Sequence, residues 1–91
     1  MEISSKTVGE IDEAREKEDL KKLEAVFFIS GRFLSMQELI SLSDLNPAII
    51  RELIEKLKDK YDDEFAIEIV EKNGLWKMDV RQEYSDIINK L

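Results

Sequence analysis

Asp62, Asp63 and Glu64 form the one run of three consecutive carboxylates in this sequence. Paired carboxylates do general acid and base work when their surroundings drive their pKa values apart. Neighbours on one loop share the same solvent, so this trio reads as a solvated helix end. The chain has no histidine and no cysteine. That removes the imidazole base, the thiolate nucleophile, the disulfide framework and the zinc ribbon. No enzyme activity, cofactor or metal is expected.

The remaining candidates for chemistry lie on the stretch "NPAIIRELIEKLKDK", residues 46–60. It reads as a helix that follows a shorter helix after a tight turn, the arrangement that places a recognition helix in the DNA major groove. Such a helix offers Arg, Lys, Asn, Gln or Ser to base edges and cations to phosphates. Here the outward positions are Ala48, Arg51, Glu52, Glu55, Lys58 and Asp59, with acids filling the middle of the face. Arg51 and Lys58 are placed to pair with Glu55 and its neighbours. The net charge of −7 points the same way, since affinity for nucleic acid rests on neutralising phosphates with cations. No direct sequence-specific DNA binding is expected, and a winged-helix DNA-binding transcription regulator stays as the alternative reading because the fold is a common vehicle for one.

These residues need a scaffold, and 91 residues suffice for one domain. With 43% hydrophobic and 38% charged residues the chain is globular with a charged surface. Residues 1–19 hold seven acids and three bases and few apolar positions, Ile3, Val8, Ile11 and Ala14 after Met1. They read as a largely flexible acidic arm, with a helical stretch from Gly9 to Lys17 as an option. The domain proper is expected over 20–91. No run approaches the ~18 apolar residues of a membrane span, and the N-terminus lacks a signal peptide pattern, so a cytoplasmic address with no membrane contact is expected.

In "EDLKKLEAVFFIS" the residues Leu20, Leu23, Val26 and Phe27 lie within one arc at 100° per residue. Ala25, Phe28 and Ile29 fall on the other side. A helix apolar nearly all round is either central to the domain or shared with a partner. Gly31 is placed as its C-terminal cap and "RFL" as an extended link. Ser35 and Glu38 form a capping box with Leu34 and Leu39 as its staple, so a second helix starts at Met36 and ends near Ser43. After the turn Ser43-Asp44-Leu45, Asn46 is the N-cap and Pro47 the first residue of the third helix, whose inward stripe is Ile49, Ile50, Leu53, Ile54, Leu57 and Tyr61. "FAIEIVEK" is a strand with Phe65, Ile67 and Ile69 on one face. Asn73-Gly74 is a hairpin turn, and "LWKMDV" returns with Trp76, Met78 and Val80 on one face. The tip carries Lys72 and Lys77 beside Glu71 and Asp79. In "EYSDIINKL", Tyr84, Ile87, Ile88 and Leu91 stand at i, i+3, i+4 and i+7, a helical stripe that needs something to pack on. The order describes an α+β, mostly helical, winged helix-turn-helix.

The pieces "LEAVFFISGRFLSMQEL", "IRELIEKLKDKY" and "IEIVEKNGLWKMDVRQEY" come in the order and spacing of a known family. Residues 20–91 resemble the N-terminal winged-helix domain of the segregation and condensation protein B family. The turn departs from the family by carrying Ser43-Asp44 where a Gly is usual, and the wing is shorter and poorer in Gly. A second winged-helix domain follows in the family, so 20–91 is expected to be the first of two.

What the resemblance implies is a non-enzymatic subunit of the prokaryotic complex that condenses and segregates chromosomes during the cell cycle, ahead of cell division. Family members form a homodimer and bind a kleisin subunit, which joins the heads of an SMC ATPase. Dimerisation is placed on the N-terminal domain and much kleisin contact on the second. The residues expected at the dimer interface are Ala25, Phe28 and Ile29 of the first helix and Phe33 of the link.

Overall fold

The computed structural model describes the backbone from Ser5 to Leu91, and side chains from Glu13 onward. Helices α1 (Ser5–Ser30), α2 (Met36–Ser43) and α3 (Pro47–Lys60) precede strands β1 (Ile67–Lys72) and β2 (Leu75–Val80), and a 3-10 helix (Gln82–Lys90) closes the chain. The winged helix-turn-helix layout is therefore present, with α2, the turn and α3 as its centre and β1–β2 as its wing.

Local chemistry sets most of these boundaries. At the start of α2 the Ser35 hydroxyl accepts from Glu38 N at 3.1 Å while Ser35 N donates to Glu38 Oε1 at 3.1 Å, the reciprocal capping box. α3 opens with Asn46 Oδ1 accepting from Ile49 N at 2.9 Å and Pro47 in the first turn, where a missing N–H leaves nothing unpaired. Between them Asp44 adopts φ 60° and ψ 22° and donates its N–H to Ile40 O at 2.8 Å. Aspartate is one of the few residues that tolerates this left-handed conformation. It thus closes α2 without a glycine. Ser43, fully buried, donates to Leu39 O at 2.6 Å and accepts from Leu45 N at 3.2 Å, so its hydroxyl is satisfied inside the turn.

The core is one cluster. Leu23 and Phe27 of α1, Leu39 of α2, and Ile50, Leu53, Ile54 and Leu57 of α3 meet Leu34 from the link and Ile69 from β1. α1 packs on both α2 and α3, and the wing leans on α3 and α1. The wing pairs Ile67 with Val80, Ile69 with Met78 and Glu71 with Trp76, antiparallel. Its turn has φ 54° at Asn73 and φ 74° at Gly74, the two positive values that a type I′ hairpin requires. Leu34 joins the sheet edge through two bonds to Trp76, at 2.7 and 2.9 Å, which locks the link to the wing.

Three expectations are corrected. Residues 5–19 are not a separate arm but the N-terminal half of α1, and the side chains of Val8 and Ile11, like residues 1–4, lie outside the described ones. Ala, Glu, Lys and Arg are strong helix formers, so a shortage of apolar residues does not end a helix that is anchored further along. Residues 13–18 are exposed, and Glu16 forms an ion pair with Lys56 of α3. Second, β1 begins at Ile67. Phe65 precedes it and stacks edge-on against Tyr61, ring centroids 5.5 Å apart at 84°. Third, the C-terminal segment winds as a 3-10 helix in place of the expected α-helical stripe, and Tyr84, Ile87, Ile88 and Leu91 are exposed.

Arg81 holds the join between α3, β1 and β2. Its guanidinium donates to the carbonyls of Tyr61 (2.6 Å), Phe65 (2.7 Å) and Asp62, and its N–H to Ala66 O at 2.8 Å. It thereby satisfies carbonyls at the α3 C-terminus that have no partner within the helix. Arg81→Ala is expected to lower the unfolding free energy by about 2 kcal/mol, because bonds from a charged donor are lost while their acceptors stay in place. Urea denaturation checks this; an unchanged midpoint would show that solvent replaces the guanidinium freely.

Candidate protein interface

Adjacent residues on α1 have opposite fates. Phe27 is 1% exposed and sits in the core, while Phe28 is 77% exposed and Ile29 81%. The split follows from the helix period: Phe27 lies over Leu23 at i−4, whereas Phe28 lies over Ala25 at i−3, with Ile29 completing the row at i+4. Ala25, Phe28 and Ile29 therefore make one exposed apolar stripe.

The stripe borders two open depressions. One, of about 340 Å³, is lined by Lys21, Glu24, Ala25, Phe28, Tyr61, Ile67 and Met78. The other, of about 400 Å³, is shared by Phe28, Ile67, Met78, Val80 and Ile88, with Lys77 and Asp79 on its rim. So the structure brings Ala25 and Phe28 together with the wing, and leaves Ile29 exposed beside them. Phe33 is elsewhere: it is half-buried in the link, with Lys77 Nζ 5.7 Å from its ring centroid, and lines neither depression. Ile67, Met78 and Val80 were not foreseen as part of this surface. The one available signal was their alternation, which placed Met78 and Val80 on a common face without saying that the far end of that face runs past the core.

One polar network stands at the edge of the first depression. Lys60 Nζ lies 2.6 Å from Glu24 Oε2, and the Tyr61 hydroxyl donates to the same oxygen. Partial burial alone would push the Glu24 carboxyl up, but the hydrogen bonds from Lys60 and Tyr61, with the Lys60 charge, outweigh it and hold the group below its ordinary value of 4.5. Burial, then the bond to Glu24, raises the Tyr61 phenol, and the bond to Glu24 raises Lys60. A carboxyl lowered by folding stabilises the protein above its unfolded pKa, and that stabilisation is lost as pH falls through the folded value. Glu24→Gln is accordingly expected to be less stable than the parent at pH 7, with the gap closing as pH falls well below 4.5. Parallel urea titrations at pH 7 and pH 3 measure it; a gap independent of pH would mean that ionisation of Glu24 plays no part.

The α3 face keeps its acidic character in three dimensions. Glu52, Glu55 and Asp59 are exposed. Lys58 Nζ is 3.5 Å from Glu55 and 3.2 Å from Glu71 across the wing, and the Trp76 indole N–H donates to the same Glu71 oxygen at 3.1 Å. The cleft between α3 and the wing, about 230 Å³, is thus lined by Arg51 but also by Glu55 and Glu71. Asp62, the first of the loop carboxylates, accepts from Glu64 N at 3.0 Å and so shapes the turn after α3. Among the described residues no group of three or more acids, His or Cys is arranged to hold a metal ion, and no helix is long and apolar enough to cross a membrane.

Residues 21–91 match the family model described as segregation and condensation complex subunit ScpB. The segregation and condensation protein B of Streptococcus mutans is 30% identical over 74 residues, which is 78% of this chain and 37% of that protein. The protein of the same name from Lactococcus lactis subsp. cremoris is 34% identical over 68 residues, 71% of this chain and 36% of its own length. The chain thus spans little more than a third of the curated relatives it matches. Among solved structures, the dimer of ScpB N-terminal domain complexed with ScpA peptide superposes with a TM-score of 0.69 at 23% identity, covering 82% of this chain and 88% of that one. A conserved hypothetical protein from Chlorobium tepidum gives 0.70 at 20% identity, over 86% and 50%. At these identities the two structures speak to the fold alone, and they agree with the helix order and wing described above. With most of its length under the family model, the chain belongs to the segregation and condensation protein B family.

Proposed function

We propose that this chain is a non-enzymatic, homodimerising winged-helix subunit of a chromosome condensation and segregation complex, acting in the cytoplasm. The observation that carries the reading is the exposed stripe Ala25, Phe28, Ile29, continued by Ile67, Met78 and Val80 on the wing. A contiguous apolar surface of this kind on a small domain is a protein contact site. Residues 20–91 act as the first of two winged-helix domains in the full-length protein. The dimer presents a kleisin subunit, and through it an SMC ATPase, with a fixed pair of docking positions. The solved relative, a dimer of an N-terminal domain with a ScpA peptide bound, supports that assignment of partners. No turnover is part of the role.

The second reading, a DNA-binding regulator, meets the carboxylates of Glu52, Glu55, Asp59 and Glu71 where phosphates and base edges would have to come. Two assays separate the readings. The full-length protein is expected to retain a kleisin central segment in a pull-down, and deletion of residues 1–80 is expected to abolish its dimeric state and weaken that retention. Mixed-sequence duplex DNA is expected to bind more weakly than micromolar at physiological salt. Micromolar DNA affinity with a steep salt dependence, together with unaltered kleisin retention by the deletion variant, would reverse the assignment.

A further inference from the structure

The C-terminal segment carries a pattern that its observed winding does not use. At the 100° per residue of an α-helix, Tyr84, Ile87, Ile88 and Leu91 fill one arc of about 100°, and Gln82, Glu83, Ser85, Asp86, Asn89 and Lys90 fill the rest. At the 120° of 3-10 winding the apolar residues separate into two rows, Tyr84 with Ile87 and Ile88 with Leu91. The segment is a nine-residue 3-10 helix with no buried residue. Such windings have poor hydrogen-bond geometry and seldom exceed about four residues. Ile88 is 67% exposed and Leu91 fully so.

Two unfilled complements therefore sit on one chain: an amphipathic segment at 82–91 and the apolar stripe of α1. They are continuous, because Ile88 already borders the depression formed by Phe28, Met78 and Val80. The charges around the depressions are mixed, Lys21 beside Glu24 and Lys77 3.2 Å from Asp79, so what the segment and the stripe share is apolar surface. Within one chain the segment is tied at its start by Arg81 to the end of α3, and only Ile88 reaches the depression. A two-fold axis removes that restriction, since each copy can give its segment to the other's stripe.

We propose that residues 82–91 are a docking arm that rewinds into an α-helix and lays Tyr84, Ile87, Ile88 and Leu91 on the Ala25, Phe28, Ile29 stripe of a second copy. This rests on the homodimer reading above and names the element that closes the interface. The rewinding aligns the two rows into one, so the α form is stable only when the stripe is covered.

Because the chain has no cysteine, a cross-link tests the contact directly. Ala25→Cys and Ile87→Cys proteins of different mass are mixed at a concentration where the parent is dimeric and then oxidised. The expected product is the disulfide between unlike chains, in clear excess over like pairs. Ile88→Asp is expected to raise the dimer dissociation constant by roughly 100-fold while the unfolding midpoint of the dilute protein stays unchanged. Amide-resolved NMR of the parent is expected to move residues 82–90 to α-helical chemical shifts as concentration rises. A disulfide that closes within single chains of the Ala25→Cys/Ile87→Cys double variant would show the arm folding back on its own α1 and overturn the proposal. So would a dimer unaffected by Ile88→Asp but broken by Phe28→Asp, which leaves the homodimer reading standing. A parent that is monomeric at every concentration overturns both.

Discussion

Phe27→Ala is expected to destabilise the protein by about 3–5 kcal/mol, a large share of the 5–15 kcal/mol available to a domain of this size. The ring is 1% exposed and packs among Leu23, Leu34, Leu39 and the α3 residues Ile50 and Leu53. Removing it leaves a cavity at the point where α1, α2 and α3 meet, and helices of 8 and 14 residues cannot close on it without losing their own contacts. A urea midpoint displaced by less than the equivalent of 1 kcal/mol would mean that the three helices collapse inward far more freely than a close-packed core allows. The same variant should also lose the dimer, but only as a consequence of unfolding.

Phe28→Asp is the complement to that result. The ring is 77% exposed in the single chain, so its loss is expected to leave the unfolding midpoint of the dilute protein within about 0.5 kcal/mol of the parent. Its effect is expected on association. An aromatic ring buries 150–250 Å² at a contact, worth several kcal/mol at about 25 cal/mol per Å², and each copy contributes one ring. A carboxylate placed there would have to be buried unpaired. The dimer dissociation constant is therefore expected to rise by at least 1,000-fold, measured by sedimentation equilibrium. Two neighbouring phenylalanines would then divide stability and assembly between them, because a 100° step carries one inward and the next outward.

What could be read from the sequence was what is decided locally. The capping box Ser35/Glu38, the Asn46-Pro47 start, the Asn73-Gly74 turn and the inward stripe Ile49, Ile50, Leu53, Ile54, Leu57 and Tyr61 each depend on local spacing and each is present, with Ile49 and Tyr61 at the stripe's partly buried edges. The exposure of Phe28 and Ile29 follows from the same helical period. Contacts between distant residues were out of reach. Arg81 binds carbonyls some 20 positions earlier, and nothing in "DVRQEY" marks it for that task. The wing residues Ile67, Met78 and Val80 join the Ala25–Phe28 surface only because the hairpin leans on α1, and Phe33 leaves that surface because Leu34 pairs with Trp76 and turns the link toward the wing. The N-terminal half of α1 was hidden for a different reason. An acidic, apolar-poor stretch is disordered when it stands alone, but here it is continuous with a helix that the core holds, so only propagation is needed and not a new nucleus.

The C-terminal segment shows the reverse case, in which the sequence pattern is stronger than the structure built on it. Its apolar positions are spaced for an α-helix on a surface; Ile88 borders the depression beside Phe28 and Met78, and Tyr84, Ile87, Ile88 and Leu91 all stay exposed.

The central claim is that two copies pair through the α1 stripe and the wing. Sedimentation equilibrium of the unaltered protein tests it most directly, across loading concentrations from about 1 to 300 µM, a span that brackets a moderate dimer. The expected result is a mass that rises with concentration from near the 10.7 kDa of one chain to twice that value, with the Phe28→Asp protein staying at one chain throughout. A parent mass fixed at 10.7 kDa up to the highest concentration would contradict the claim.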